Sequence, residues 1–274
     1  MRNRTGKHWD VCPDNPLLIP LDTFEGFAVD LDGVIWRGTQ ILPGATEGMM
    51  ALRRLSKPVV FLTNNGAHVP EEAATRLRDA EIDASPEEIL NTCAVTVRWL
   101  AERSLTGAEA YVLAPQPVVD QLEPHLDIRP PAAGEQPAVV VVGRDSRFDF
   151  QRLDLAARAI RNGSHFVALN RDATYPVENG LEPGTGTIVA AIETASGMRP
   201  NVMGKPELPM MEAAARMLGT NKVLMIGDRL DSDIEGAARI GWKSALLLSG
   251  VTPMGEYLPA PDYILESLGD LAPS

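Results

Sequence analysis

Two kinds of segment alternate along this chain. Short unbroken apolar runs, each ending at charge or at a turn residue, predict buried strands. They lie at Phe27–Asp30, Val59–Thr63, Ala110–Leu113, Ala138–Gly143, His165–Asn170, Val223–Asp228 and Ser244–Leu248. Between them apolar residues fall at helical spacing with clear punctuation. Pro70-Glu71-Glu72 opens a helix through Arg78, and Ser85-Pro86-Glu87-Glu88 reads as a capping box opening a segment that ends near Arg103. Gly163, Gly219 and Gly241 stand where helical patterns stop, as C-terminal caps do. Strand–helix alternation with unpatterned apolar strands predicts an α/β protein whose parallel sheets are covered on both faces.

Three of these strands end in polar or small residues: Asp30-Leu31-Asp32-Gly33, Thr63-Asn64-Asn65-Gly66 and Gly227-Asp228-Arg229. In an open α/β sheet, ligands bind beyond the carboxyl ends of the strands, so these segments belong to one site if their strands are neighbours. Two precede residue 70 and the third follows residue 220, and the stretch between carries its own strand–helix units. It therefore reads as an inserted domain over residues 105–200, within a core of residues 1–104 and 201–274. The insert begins near Ser104–Gly107, ends near the turn-like Gly197–Asn201, and contains a Pro/Ala/Gly-rich loop at Pro130–Pro137.

Composition narrows the picture. A chain of 274 residues with 45% hydrophobic residues can bury a large core without staples. Its formal charge of −12 repels phosphate backbones, and there is no basic run, which argues against nucleic acid as a partner. Cys12 and Cys93 form neither a CxxC nor a zinc spacing, and free thiols in a reducing cytoplasm are the default. The basic N-terminus has no apolar stretch after it, because Pro13, Pro16 and Pro20 interrupt Val11–Leu21. It is expected to form an extended arm of about twenty residues, and no segment is apolar enough to span a membrane.

The polar strand ends carry the chemistry. Asp30 and Asp32 share one side if the strand continues through them. Two such carboxylates titrate as a coupled pair, which provides one nucleophile and one general acid for covalent phosphoryl transfer. A plain Asp-Gly turn is the competing reading. Asp228, Asp231 and Asp233 follow the strand Val223–Ile226. N-capping and solvation explain one or two of them, whereas three behind a buried strand suit a hard cation with oxygen ligands, magnesium best. The hydroxyl of Thr63, the amides of Asn64 and Asn65 and the backbone N–H groups around them form an anion cradle, although an Asn-Gly turn would look the same. Lys205, in Gly204-Lys205-Pro206, would offset carboxylate repulsion and hold phosphate, yet most lysines are solvated. The Gly184-Thr185-Gly186 turn reads as a helix opening, and Trp36, close behind the first motif, as core or as the rim of its loop.

The order of these motifs is more informative than any one of them. With Asp-Leu-Asp-Gly-Val-Ile, Leu-Thr-Asn-Asn, Gly-Leu-Glu-Pro-Gly-Thr-Gly (180–186), Gly-Lys-Pro and Gly-Asp-Arg-Leu-Asp-Ser-Asp-Ile, the chain from about Phe24 to Leu271 resembles the haloacid dehalogenase-like phosphatases. The resemblance points to the branch of nitrophenylphosphatases, phosphoglycolate phosphatases, glycerol-phosphate phosphatases and pyridoxal-phosphate phosphatases. It implies a doubly wound, Rossmann-like parallel-sheet core with an inserted α/β cap, and a Mg²⁺-dependent cytoplasmic phosphatase acting on a small phosphorylated metabolite. Position by position it implies that Asp30 attacks phosphorus and becomes an aspartyl-phosphate, while Asp32 protonates the leaving alkoxide and then activates water. Asp30, the backbone carbonyl of Asp32 and Asp228 would ligate the metal, with Asp233 in the outer shell and Thr63, Asn64, Asn65 and Lys205 around the phosphoryl group.

In similar proteins the position before the proline of the segment Asn170–Pro176 points into the site and helps select the leaving group; here it is Tyr175. A tyrosine has both an apolar face and a hydroxyl, so it does not choose between an aromatic and a polyol phosphate, and packing within the cap is the alternative. Caps of this kind often mediate dimers, so a homodimer through the cap is expected. A phosphotransferase or mutase would share Asp30 and Asp32. A dehalogenase has no use for the second acid, and a non-catalytic phosphate sensor would not need both.

Overall fold

The computed structural model describes residues 19–129, 136–177, 180–249 and 259–272. The N-terminal arm up to residue 18, with Cys12, lies outside the described residues, as does residues 130–135 of the Pro130–Pro137 loop. In chain order the strands are β1 (Gly26–Asp30), β2 (Trp36–Arg37), β3 (Gln40–Ile41), β4 (Val59–Thr63), β5 (Ile89–Asn91), β6 (Glu109–Leu113), β7 (Asp127–Ile128) and β8 (Val139–Val142). They continue with β9 (His165–Ala168), β10 (Thr174–Val177), β11 (Gly180–Pro183), β12 (Asn201–Val202), β13 (Val223–Gly227), β14 (Lys243–Leu247) and β15 (Tyr263–Leu265). The α-helices are α1 (Ala45–Arg54), α2 (Pro70–Asp79), α3 (Thr92–Glu102), α4 (Gln116–Leu122), α5 (Phe150–Arg161), α6 (Thr185–Ser196), α7 (Leu208–Leu218) and α8 (Glu235–Arg239). The architecture is thus the expected α/β one.

The chain divides into two compact units: Met1–Leu62, Ala74–Glu88 and Ala214–Ser274 in the first, Thr63–Ala73 and Ile89–Ala213 in the second. The first is built on parallel strands in the order β15-β14-β13-β1-β4. Every residue of β1 and β13 is buried, as expected of strands covered on both faces. The register places Val29 level with Ile226, so both strands deliver the carboxylates that follow at one edge of the sheet. Helix α1 is held against the C-terminal segment by close approach: a Cβ on Gly48 would lie 2.2 Å from the Leu268 carbonyl oxygen.

The second unit carries a parallel sheet in the order β12-β9-β8-β6-β7 and the antiparallel hairpin β10–β11. Helices α5 and α6 pack Ala156, Ile160, Ile188, Val189 and Ile192 on Val140, Val142 and Phe166 of this sheet. The helix α6 opens at Thr185 after Gly184, as the glycine-rich turn suggested.

One local reading is corrected. The capping box at Ser85 closes only the short 3-10 turn Pro86–Glu88, and the helix that follows begins at Thr92, capped by the Asn91 side chain accepting from the Ala94 N–H. Glu88 bonds back to the Ser85 N–H at 3.0 Å and also takes Arg53 at 2.6 Å, while apolar Ile89 and Leu90 continue as strand. After β13, the run Leu230–Ile234 is a wide π-helical turn before α8 starts at Glu235. Such turns are rare and concentrate at functional sites.

Gly48 gives a test with an informative sign. Glycine to alanine inside a helix ordinarily stabilises by about 1 kcal/mol. Here the steric overlap wins, and Gly48→Ala should destabilise the protein by roughly 1–3 kcal/mol, read as a lowered thermal unfolding midpoint.

Candidate active site

In the first unit the site grows out of two strand ends. β1 stops at Asp30, and Leu31 turns the chain: its carbonyl oxygen accepts from the N–H groups of Ile35 at 2.9 Å and Trp36 at 3.2 Å. Gly33 completes the turn at φ +90°, donating to the Trp36 carbonyl at 2.7 Å. Glycine is required there twice over, since a Cβ would also lie 2.3 Å from Asp228 Oδ2. Across the sheet edge, β13 ends at Gly227, whose missing Cβ would fall 2.2 Å from Asp233 Cγ. Both glycines leave space that carboxylates fill.

The result is a concentrated negative centre. Asp30, Asp228 and Asp233 are all buried, and each offers a carboxylate oxygen within 4.8 Å of the others. At an effective dielectric of about 20, two such charges repel by roughly 3 kcal/mol. Across three pairs this is a large share of a typical domain's stability, so the cluster attracts positive charge. An all-oxygen donor set fits a hard divalent cation. Asp233 Oδ2 also accepts the Arg229 N–H at 3.1 Å, which ties the π-helical turn to the cluster.

Asp32 is treated differently. It is half-buried, and its Oδ1 accepts the indole N–H of Trp36 at 3.1 Å. The Arg76 guanidinium lies over the Trp36 ring at 4.1 Å and donates to the Gly38 carbonyl at 2.6 Å. Burial holds the Arg76 pKa below its ordinary value, against an opposing but smaller pull from the Asp32 charge. The acid thus has a fixed orientation and a cation behind its hydrogen-bond donor. Arg76 was not legible as a site residue, because a helical arginine four residues after Glu72 reads as a solvated face.

The second unit holds the amide- and lysine-bearing segments. Thr63 Oγ1 accepts the Asn65 N–H at 3.0 Å, and Asn65 Oδ1 accepts the Ala67 N–H at 3.0 Å, so consecutive side-chain turns shape the loop after β4. Asn65 Nδ2 donates to the Tyr175 hydroxyl at 3.4 Å and stands 3.2 Å from His68 Nε2. Tyr175, on β10, therefore reaches the loop itself, and the Arg144 guanidinium covers its ring at 4.5 Å. Lys205 is 2% exposed and Asn64 9% exposed, so neither is the solvated surface residue that its short motif allowed. Asn64 and Lys205 are bonded to each other through Asn64's side chain and Lys205's backbone. Asn170 and Asp172 join them, and neither stood out in the sequence.

Cys93 is buried and its thiol is pushed up to about 12 by desolvation, so it stays protonated and offers no nucleophile. Among the described residues no helix is long and apolar enough to cross a membrane.

The charge cluster predicts a ligand-linked stability. Mg²⁺ should raise the unfolding midpoint of the wild-type protein by binding only the folded state. Asp228→Asn should raise the midpoint of the metal-free protein, by removing repulsion, and erase most of the Mg²⁺ response. Differential scanning fluorimetry with and without the ion checks both signs.

Comparison with known proteins agrees with this geometry. A family model described as haloacid dehalogenase-like hydrolase matches residues 27–125, and a second HAD-like hydrolase model matches residues 202–271. A 5'-nucleotidase of Bacillus subtilis is 31% identical over 259 residues, covering 92% of this chain and 99% of the relative. The p-nitrophenyl phosphatase of Archaeoglobus fulgidus superposes with a TM-score of 0.83 at 29% identity, covering 91% of this chain and 98% of that one. A glycerol phosphate phosphatase of Mycobacterium tuberculosis, solved with magnesium, superposes with a TM-score of 0.80 at 32% identity, covering 92% of this chain and 78% of that one. The chain belongs to the haloacid dehalogenase-like hydrolases, in their nitrophenylphosphatase-like branch of phosphatases.

Proposed function

We propose that the protein is a Mg²⁺-dependent phosphatase that hydrolyses small phosphate monoesters through an aspartyl-phosphate on Asp30. The observation that carries this reading is the buried trio Asp30, Asp228 and Asp233, whose oxygens share one small volume beside a separately oriented second acid, Asp32. Asp30 attacks phosphorus, and the bond from phosphorus to the ester oxygen breaks. Asp32 gives its proton to the departing oxygen, then takes a proton from the water that attacks the aspartyl-phosphate, releasing inorganic phosphate and restoring Asp30.

Asp30, Asp228 and the Asp32 backbone carbonyl would hold Mg²⁺, with Asp233 in the outer shell, and the bound ion would supply positive charge to offset that of the phosphoryl oxygens. Thr63, Asn64, Asn65 and Lys205 serve the phosphoryl group, and Trp36 keeps the acid oriented. Residues 1–104 and 201–274 make the catalytic core, and residues 105–200 an α/β cap with Tyr175 directed at the leaving group. The relatives' names support p-nitrophenyl phosphate, glycerol phosphate or a nucleotide as substrates of the right class, and the family resemblance adds phosphoglycolate. On the family resemblance we also place the enzyme in the cytoplasm and its homodimer contact on the cap.

Release of phosphate from p-nitrophenyl phosphate should require Mg²⁺ and fall by a factor on the order of 10³ or more in Asp30→Asn. Activity retained in that variant would overturn the covalent route. Asp32→Asn should lower kcat by about 10²–10⁴ with a much smaller effect on KM. Steady-state kinetics with esters of differing leaving groups separates the two.

A further inference from the structure

Asn64 stands among the phosphate-handling residues, yet its side chain is already engaged inside the protein. Its Oδ1 accepts the backbone N–H of Lys205 at 2.8 Å, and its Nδ2 donates to the backbone carbonyl of the same Lys205 at 3.0 Å. The second Nδ2 hydrogen is shared between Oδ1 and Oδ2 of Asp172, at 3.1 and 3.3 Å. An amide has only two hydrogens to give, so this side chain has no donor left for a phosphoryl oxygen. The network also fixes the amide's orientation, because the flipped amide would set NH₂ against N–H and oxygen against oxygen.

The surroundings lock this arrangement. Asn170 Nδ2 donates to the Asn64 carbonyl at 2.7 Å, and Asn170 Oδ1 accepts the Asp172 N–H at 3.1 Å. Gly204 leaves room for the amide, since a Cβ there would lie 2.5 Å from Asn64 Oδ1. Asn64 and Lys205 are both buried. In such a place a two-point bond to one residue's backbone sets where that residue's side chain starts.

We infer that Asn64 and Asp172 are positioning residues: together they clamp the backbone of Lys205 so that its ammonium is presented to the phosphoryl group. The inference rests on the phosphatase reading, in which Lys205 holds phosphate. It gives Asn64 a different task from direct contact through its amide. It also gives the loop after β9, which belongs to the proposed cap, a part in preparing the lysine.

Exchanging the two partners tests the clamp in the full-length protein, with inorganic phosphate as the probe and titration calorimetry in Mg²⁺ as the readout. Asn64→Asp sets a carboxylate against Asp172 and against the Lys205 carbonyl, and phosphate affinity should fall about 10- to 100-fold, the loss expected when buried donors are removed. Asp172→Asn keeps an accepting oxygen and should stay within about threefold of wild type. The double variant Asn64→Asp/Asp172→Asn restores a donor facing an acceptor without changing net charge, and should recover at least about fivefold of the loss. In a Lys205→Ala background, Asn64→Asp should weaken phosphate no further.

Should Asn64→Asp not fold, Asp172→Ala replaces it, with an expected loss of about 3- to 10-fold that likewise vanishes without Lys205. No recovery in the exchanged pair, or the same loss with and without Lys205, would overturn the clamp. The underlying reading fails separately: in that case Lys205→Ala itself leaves phosphate affinity unchanged. If Lys205→Ala weakens phosphate while the Asn64 and Asp172 variants do not, only the clamp is lost.

Discussion

Everything in the first unit answers to one constraint, the burial of negative charge. Three carboxylates share a volume less than 5 Å across, at the ends of two strands that are buried throughout. Charge is expensive to bury unless it is paired. The fold meets that cost by placing the carboxylates at the end of β1 and just beyond β13, where the backbone leaves the sheet and a cation can approach. The parallel register of β1 and β13 does the placing, and hydrophobic burial along both strands does the holding.

The second unit shows the complementary strategy. Its loops around Thr63 and Asn91 are organised by neutral amides and hydroxyls. Thr63, Asn65 and Asn91 each satisfy a nearby backbone N–H, and Gln121 donates to the Gly66 carbonyl at 2.7 Å. Such bonds add little stability one by one, but each would be costly to leave unmade in a buried loop. They give a loop the rigidity of a strand without its repetitive geometry. Tyr175 and Arg144 extend the same lattice into the β10–β11 hairpin.

The sequence exposes the parts of the fold that repeat and hides the parts that do not. Each long apolar run became a strand to within a residue or two, because an unpatterned run bounded by turns has few other solutions. The two-residue strands β2, β3, β7 and β12 carry too little pattern to be seen. The capping box at Ser85 misled because the cap is real but local: its glutamate is shared with Arg53, which lies 35 positions away in sequence. The same limit applies to the site. Asp30, Asp32 and Asp228 announce themselves as acids closing apolar runs. Arg76, Asn170 and Asp172 do not, since the partners that place them at the site lie 38 to 108 positions away and a polar residue on a helix or loop is unremarkable alone.

Gly33 and Gly227 contribute no atom to the chemistry, yet they set the dimensions of the chamber in which it happens. At each, the nearest obstacle to a Cβ is a carboxylate of the cluster, not a hydrophobic neighbour. A map of mutational tolerance would therefore mark both positions as forbidden and could be misread as marking reactive groups. What such a map would record there is emptiness under pressure from charge. Any attempt to redesign this centre for a different ion has to begin with those two missing side chains, because they fix how far the carboxylates can retreat.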